Sequence, residues 1–194
     1  MKKIVCIGAS TGGPRALQRV IPRIPRGVPS PILIVQHMPP KFTKSFAERL
    51  DRISQLTVCE ANNGETIKNG RVYIAPGGYH MGVKHRGSSP KIVIHDAPPI
   101  HNVKPSVDML FQSIAGLEGY QVIAAVLTGM GKDGSQGLKA LKYHVSTYAI
   151  AESKESAIVY GMPKAAVETG LIDQISHIDT ISTDICRQLN FSGS

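Results

Sequence analysis

Lys3-Ile-Val-Cys-Ile-Gly-Ala-Ser-Thr-Gly-Gly-Pro14 is a short apolar run that breaks into glycine and small residues, then meets a proline. The apolar run reads as a strand buried on both faces, as in a parallel sheet. Proline at the first turn of a helix forgoes an N–H that has no partner there, so a helix is expected from about Pro14. Gly8-Ala-Ser-Thr-Gly12 fits the G-x-S-x-G elbow, which projects a serine hydroxyl from a sharp strand-to-helix turn. A dinucleotide-binding turn is the competing reading. It is disfavoured because Ser10 stands where the second glycine would approach a pyrophosphate, and no acid ends the next strand.

The same strand-then-helix alternation recurs downstream. Pro31-Ile-Leu-Ile-Val35 reads as a second buried strand, and Phe42, Phe46, Leu50 and Ile53 as one face of the following helix. Leu56-Thr-Val-Cys59 reads as a third strand. Between about 64 and 98, Gly64, Gly70, Gly77-Gly78 and Gly87 separate Arg71–Ala75, Met81–Lys84 and Lys91–Ile94, a pattern of antiparallel hairpins. Val107, Leu110, Phe111, Ile114 and Leu117 form a helical stripe, and Gln121–Leu127 a long buried strand. A helix bearing Leu138 and Leu141, a strand near Ser146–Ala151 and a closing helix with Ile181, Ile185 and Leu189 complete the chain. The expected fold is α/β: a doubly wound, mostly parallel sheet with helices on both faces and an antiparallel hairpin region. Residues 1–194 are expected to form a single domain.

Composition limits the function. The longest apolar runs fall far short of the ~20 residues a membrane span needs, and the run after Met1-Lys-Lys3 is too short for a signal sequence. A cytoplasmic protein without membrane insertion is expected. A formal charge of +8 raises an acidic partner beside the alternative of a merely solvated surface, while scattered cations and the lack of tryptophan argue against nucleic acid. Cys6, Cys59 and Cys186 match no zinc or redox spacing and read as buried free thiols. His80, His85, His95 and His101 lack cysteine or carboxylate company at ligand spacing, so neither metal nor cofactor is expected.

In doubly wound folds, ligands bind at the carboxyl edge of the strands. Three loops leave that edge with chemistry in them. Ser10 follows the first strand, His37 the second, and Asp133 the strand 121–127, within Thr128-Gly-Met-Gly-Lys-Asp-Gly134. Histidine is the usual base for a serine hydroxyl, and an acid orients the imidazole. Capping of the helix just beyond is the competing role for Asp133. Asp96 and Asp108 are rival acids, set aside because neither follows a predicted parallel strand. Backbone N–H groups of Thr11 or Gly12, at the helix start, are candidates to receive an oxyanion.

The sequence resembles the catalytic domain of the chemotaxis protein-glutamate methylesterases, the CheB type, over nearly its whole length. The resemblance rests on Gly8-Ala-Ser-Thr-Gly-Gly-Pro14, Gln36-His-Met-Pro39, Ala75-Pro-Gly-Gly-Tyr-His-Met81, Pro105-Ser-Val-Asp108, Leu127-Thr-Gly-Met-Gly-Lys-Asp-Gly134 and Val159-Tyr-Gly-Met-Pro163. It implies Ser10 as nucleophile, His37 as base and Asp133 as orienting acid. It also implies Thr11 at the site, and Met130 beside the oxyanion. The implied substrates are glutamate γ-methyl esters on methyl-accepting chemoreceptors, and certain receptor glutamines. A monomer is the simplest expectation. The family's usual N-terminal phosphoacceptor receiver domain is not expected within these residues; an excised domain and a naturally free-standing protein both stay open, as does control by a regulatory protein in trans. Ile150-Ala-Glu-Ser153 departs from the family's Ala-Gln-Asp type of run. A docking module that performs no turnover is the alternative from another class; the presence of all three triad residue types weighs against it.

Overall fold

The computed structural model describes residues 1–86 and 89–192; Gly87, one of the expected punctuating glycines, lies outside them. The sheet strands are β1 (Lys2–Ala9), β2 (Ile32–Gln36), β3 (Thr57–Glu60), β4 (Arg71–Ile74), β7 (Tyr120–Val126), β8 (Ser146–Glu152) and β9 (Gln174–Ser176). Their order is β3-β4-β2-β1-β7-β8-β9, and every neighbouring pair is parallel. Strands β5 (His80–Arg86) and β6 (Ser89–His95) form a separate antiparallel pair.

The helices are α1 (Gly13–Val20), α2 (Pro40–Ile53), α3 (Val107–Ala115), α4 (Ser135–His144), α5 (Gly161–Glu168) and α6 (Ile178–Gln188). The pleat of β1 shows why both faces need cover. Val5, Ile7 and Ala9 enter one core with residues of α1, α2 and α6. Ile4 and Cys6 enter the other, with α3, α4, α5 and the hairpin. A strand segment buried on both faces is expected to be apolar, and Ile4–Ala9 of β1 and Ile32–Val35 of β2 are.

The structure corrects the sequence reading in four places. Arg71–Ile74 is not part of a hairpin; it is a parallel strand between β2 and β3. The buried face of α2 is Thr43, Phe46, Ala47 and Leu50, whereas Phe42 and Ile53 are exposed. Helix α5 and edge strand β9 had no clear apolar signal: β9 has three residues, and Ile175 at its centre is exposed. Only Cys6 is fully buried; Cys59 and Cys186 are half-buried thiols.

The connection from β1 runs to β2 on one side, and that from β7 runs to β8 on the other. The crevice above β1 and β7 is therefore the switch point of the sheet. Register sets the heights there. Ala9 is level with Gln36 and Gly8 with Val126, so residues 10 and 37 leave adjacent strands side by side. Gly77 holds the 37–39 loop from outside: a Cβ on it would lie 2.6 Å from the Pro39 carbonyl carbon and 2.7 Å from the Met38 oxygen. Backbone cannot yield as a side-chain tip can. Gly77→Ala is expected to lower stability by about 2 kcal/mol, read as a shifted urea midpoint at unchanged slope.

Candidate active site

Ser10 closes the ladder of β1. Its N–H donates to the Thr128 carbonyl at 2.9 Å, and the His37 N–H donates to the Ala9 carbonyl at 3.1 Å. Gln36, buried at the end of β2, donates from Nε2 to the carbonyls of Ser10 (2.9 Å) and His37 (3.0 Å), tying the two loops together. Gly129 lets the third loop close on the serine, since a Cβ there would lie 2.8 Å from Ser10 Cβ. Gly12 takes the left-handed conformation (φ 81°) as N-cap of α1, which turns the chain sharply after Ser10 and Thr11. Thr11 is exposed and Gly12 half-buried. Among the described residues, the N–H groups of Thr11, Gly12 and Met130 have no backbone acceptor.

The His37 ring meets Asp133 directly, Nε2 to Oδ2 at 2.7 Å, with the histidine side chain 12% exposed and the carboxylate 3%. Nδ1 is the ring nitrogen left over. Among the described residues the Ser10 hydroxyl makes no hydrogen bond to that ring, so the three are joined at the carboxylate and by backbone.

Asp133 does not cap the helix that follows it. It caps α3, from across the sheet edge. Oδ2 accepts the Val107 N–H at 2.7 Å, and Oδ1 accepts the Asp108 N–H at 2.9 Å and the Ser106 hydroxyl at 2.8 Å. Asp108 returns the arrangement: its Oδ1 accepts the N–H groups of Gly134 (2.9 Å) and Gly137 (2.7 Å) at the start of α4. Each helix thus has its free N–H groups satisfied by an acid belonging to the other. Asp108, set aside as a rival to Asp133, is instead its neighbour and support.

The two carboxylates are shifted in opposite directions. Burial would raise Asp133, but the His37 ring, the N–H groups of Asp108 and Val107 and the Ser106 hydroxyl outweigh it and hold the carboxyl below its ordinary value. Burial raises Asp108; the Gly137 N–H opposes this and the charge on Asp133 adds to it.

His101, Asp108 and Asp133 each bring a donor atom within 4.8 Å of the others, a grouping that would suit a cation. The carboxylate lone pairs argue otherwise. Both oxygens of Asp133 accept two hydrogen bonds each, and Asp108 Oδ1 accepts two more while Oδ2 meets His101 Nε2 at 3.1 Å.

Three further residues support the site in roles that the sequence reading did not give them. His80 is fully buried; Nε2 donates to the Pro98 carbonyl (3.0 Å) and Nδ1 accepts the Ser106 N–H (3.2 Å), which fixes the start of α3. Thr128 Oγ1 donates to the Thr11 carbonyl at 2.9 Å and accepts the Val159 N–H. Glu152, at the position that departs from the family pattern, is buried and accepts the Thr128 N–H at 2.8 Å and the Ser156 hydroxyl at 2.9 Å. Pro105-Ser-Val-Asp108 did carry a legible cue, an N-cap serine with an acid in the first turn. The cue names no partner across the sheet.

A doubly wound sheet with a serine turn and a His–Asp pair at its switch point defines a class of hydrolase-like α/β domains. The CheB methylesterase family model matches residues 5–185, and the chain belongs to that family. It is 50% identical to a protein-glutamate methylesterase/protein-glutamine glutaminase of Bacillus licheniformis, over 95% of this chain and 52% of that one. A protein of the same name from Archaeoglobus fulgidus is 48% identical over 95% of this chain and 53% of its own length. The chain thus spans about half the length of the curated relatives it matches. The crystal structure of the Thermotoga maritima CheB methylesterase catalytic domain superposes with a TM-score of 0.94 at 45% identity, covering 97% of this chain and 99% of that one.

Asp108→Ala strands two buried N–H groups of α4 and should cost about 2–4 kcal/mol, whereas Asp108→Asn keeps an acceptor for them. Because the folded pKa of Asp108 is raised, its contribution is full below the ordinary carboxylate value and is lost as pH rises through the folded value. Urea denaturation across that acidic window should therefore show wild type losing stability relative to Asp108→Asn as pH rises. A difference that does not change with pH would contradict the assignment.

Proposed function

We propose that the chain hydrolyses glutamate γ-methyl esters on methyl-accepting chemoreceptors, with Ser10 as nucleophile, His37 as base and Asp133 as orienting acid. One observation carries the reading above the others: the buried 2.7 Å His37–Asp133 pair, held beside Ser10 by the register of β1 and β2. The names of the relatives supply the substrate class.

In this mechanism Ser10 Oγ attacks the γ-carbonyl carbon, and its proton passes to His37 Nδ1, since Nε2 is engaged with Asp133. The ionised Asp133 stabilises the imidazolium. The oxyanion is received by unpaired N–H groups of Thr11, Gly12 and Met130, where the positive end of the α1 dipole adds its field. Collapse expels methanol, protonated by the imidazolium, and leaves an acyl-serine. Water then attacks that acyl carbon, gives its proton to His37, and frees the glutamate carboxylate and Ser10. Thr11 and Met130 beside the serine are exposed, which suits a side chain presented by another protein. A glutamine side chain would follow the same route with ammonia leaving in place of methanol.

No helix among the described residues is long and apolar enough to cross a membrane. The proposed working form meets receptors from the cytoplasm as a monomer, with regulation left to other protein segments or partners.

Methanol release from methylated receptor membranes tests the reading. Ser10→Ala, confirmed as folded, should reduce release by roughly a thousandfold or more. Undiminished release by the variant would remove Ser10 from the mechanism. No release by folded wild type would favour a docking module.

A further inference from the structure

A cavity of about 190 Å³ opens beside the Ser10 turn, lined by Gly12, Arg15, Arg19, Thr128, Glu152 and Ile158 among others. None of this lining is used in the mechanism above except the backbone of Gly12. Ile158 is 58% exposed despite its apolar side chain. It packs directly on the nucleophile turn, its Cβ 2.8 Å from where a Cβ on Gly12 would stand.

The charges in the cavity are not equivalent. Arg19 is already paired with Asp179 at 2.6 Å, and Arg23 shares the same oxygen at 3.0 Å. Glu152 has one oxygen on the Thr128 N–H and the other on the Ser156 hydroxyl. Arg15 has neither ion pair nor side-chain hydrogen bond among the described residues. It sits in the first turn of α1, where no acid accompanies it and a cation runs against the helix dipole. An exposed cation kept in an unfavourable place, next to an exposed apolar side chain and a cavity, is suited to a ligand that offers methylenes and a carboxylate.

We propose that this cavity is a specificity subsite for the side chain neighbouring the scissile ester, and that it selects an acidic one. The methylenes of that glutamate or aspartate lie on Ile158 and its carboxylate pairs with Arg15. The exposed Lys132 and Lys154 on the flanking loops add positive field, opposed there by Glu155. This deepens the esterase reading and rests on it for the identity of the substrate.

The test uses peptides carrying one glutamate γ-methyl ester flanked by either Glu or Gln, with p-nitrophenyl acetate as a small ester that cannot reach the cavity and the ester site together. Arg15→Gln should raise KM for the Glu-flanked peptide roughly fivefold, the scale of one exposed ion pair. It should leave kcat, the Gln-flanked peptide and p-nitrophenyl acetate within about twofold. Arg15→Glu should reverse the preference between the peptides, and Ile158→Ser should raise KM for both. Equal effects of Arg15→Gln on the two peptides, or none, would overturn the subsite. A binding measurement separates the two layers of the argument. The unesterified Glu-flanked peptide should bind Ser10→Ala protein more tightly than the Ser10→Ala, Arg15→Gln double variant; equal affinity sinks the proposal. Arg15-dependent binding with no ester hydrolysis by wild type would retain the subsite and reject the reaction.

Discussion

The Asp133 carboxylate accepts four hydrogen bonds, from the His37 ring, the Ser106 hydroxyl and the N–H groups of Val107 and Asp108. A buried carboxylate without such partners would take up a proton instead of remaining charged. Its ionised state therefore depends on α3 being formed and in place. The start of α3 depends in turn on the fully buried His80, which accepts the Ser106 N–H, and on the close packing of α3 against α4. A site of three side chains is consequently coupled to two helices and the hairpin strand that carries His80.

Reciprocal capping explains how such an arrangement avoids the cost of burying two acids together. Each helix start has N–H groups with no intrahelical acceptor, and each acid needs donors. Exchange of acids between α3 and α4 satisfies both needs with four backbone N–H groups, from Val107, Asp108, Gly134 and Gly137. The partition is unequal. Burial penalises both anions, but the donors to Asp133, the His37 ring among them, outweigh it, whereas those to Asp108 do not. One carboxylate is kept ionised toward the crevice and the other absorbs the repulsion behind it.

On the opposite shoulder of Ser10, a second buried acid works through the backbone. Glu152 holds the Thr128 N–H, and the Thr128 carbonyl holds the Ser10 N–H. Ser156, bonded to Glu152, also accepts the Ile178 N–H at the start of α6. The serine turn is thus supported from β8 and α6 in the same way that His37 is supported from α3 and α4. The cavity on this side of the serine turn is lined by Glu152 and Ser156 together with Arg15 and Ile158, and Arg15 has no ion pair among the described residues.

The amino-acid sequence by itself determined the doubly wound α/β class, because strands buried on both faces must be apolar and helices must be amphipathic. It also put forward Ser10, His37 and Asp133 as candidates, since each leaves the carboxyl end of a readable strand. It misassigned Arg71–Ile74, whose four residues carry no mark distinguishing a parallel partner from a hairpin strand. Phe42 and Ile53 were misassigned because apolar spacing of four, four and three does not reveal which side of α2 meets the sheet. Helix α5 and β9 were missed, as half-exposed edge elements lack periodicity. The roles of Asp108, His80 and Glu152 were beyond reach for a different reason. Asp108 acts on Gly134 and Gly137, His80 on Ser106 and Glu152 on Thr128, each 24 or more positions away, and pairing at that separation exists only once the sheet order has placed the loops together. Which acid caps which helix is therefore a tertiary decision, made by the packing of α3 on α4 and not by the sequence next to either cap.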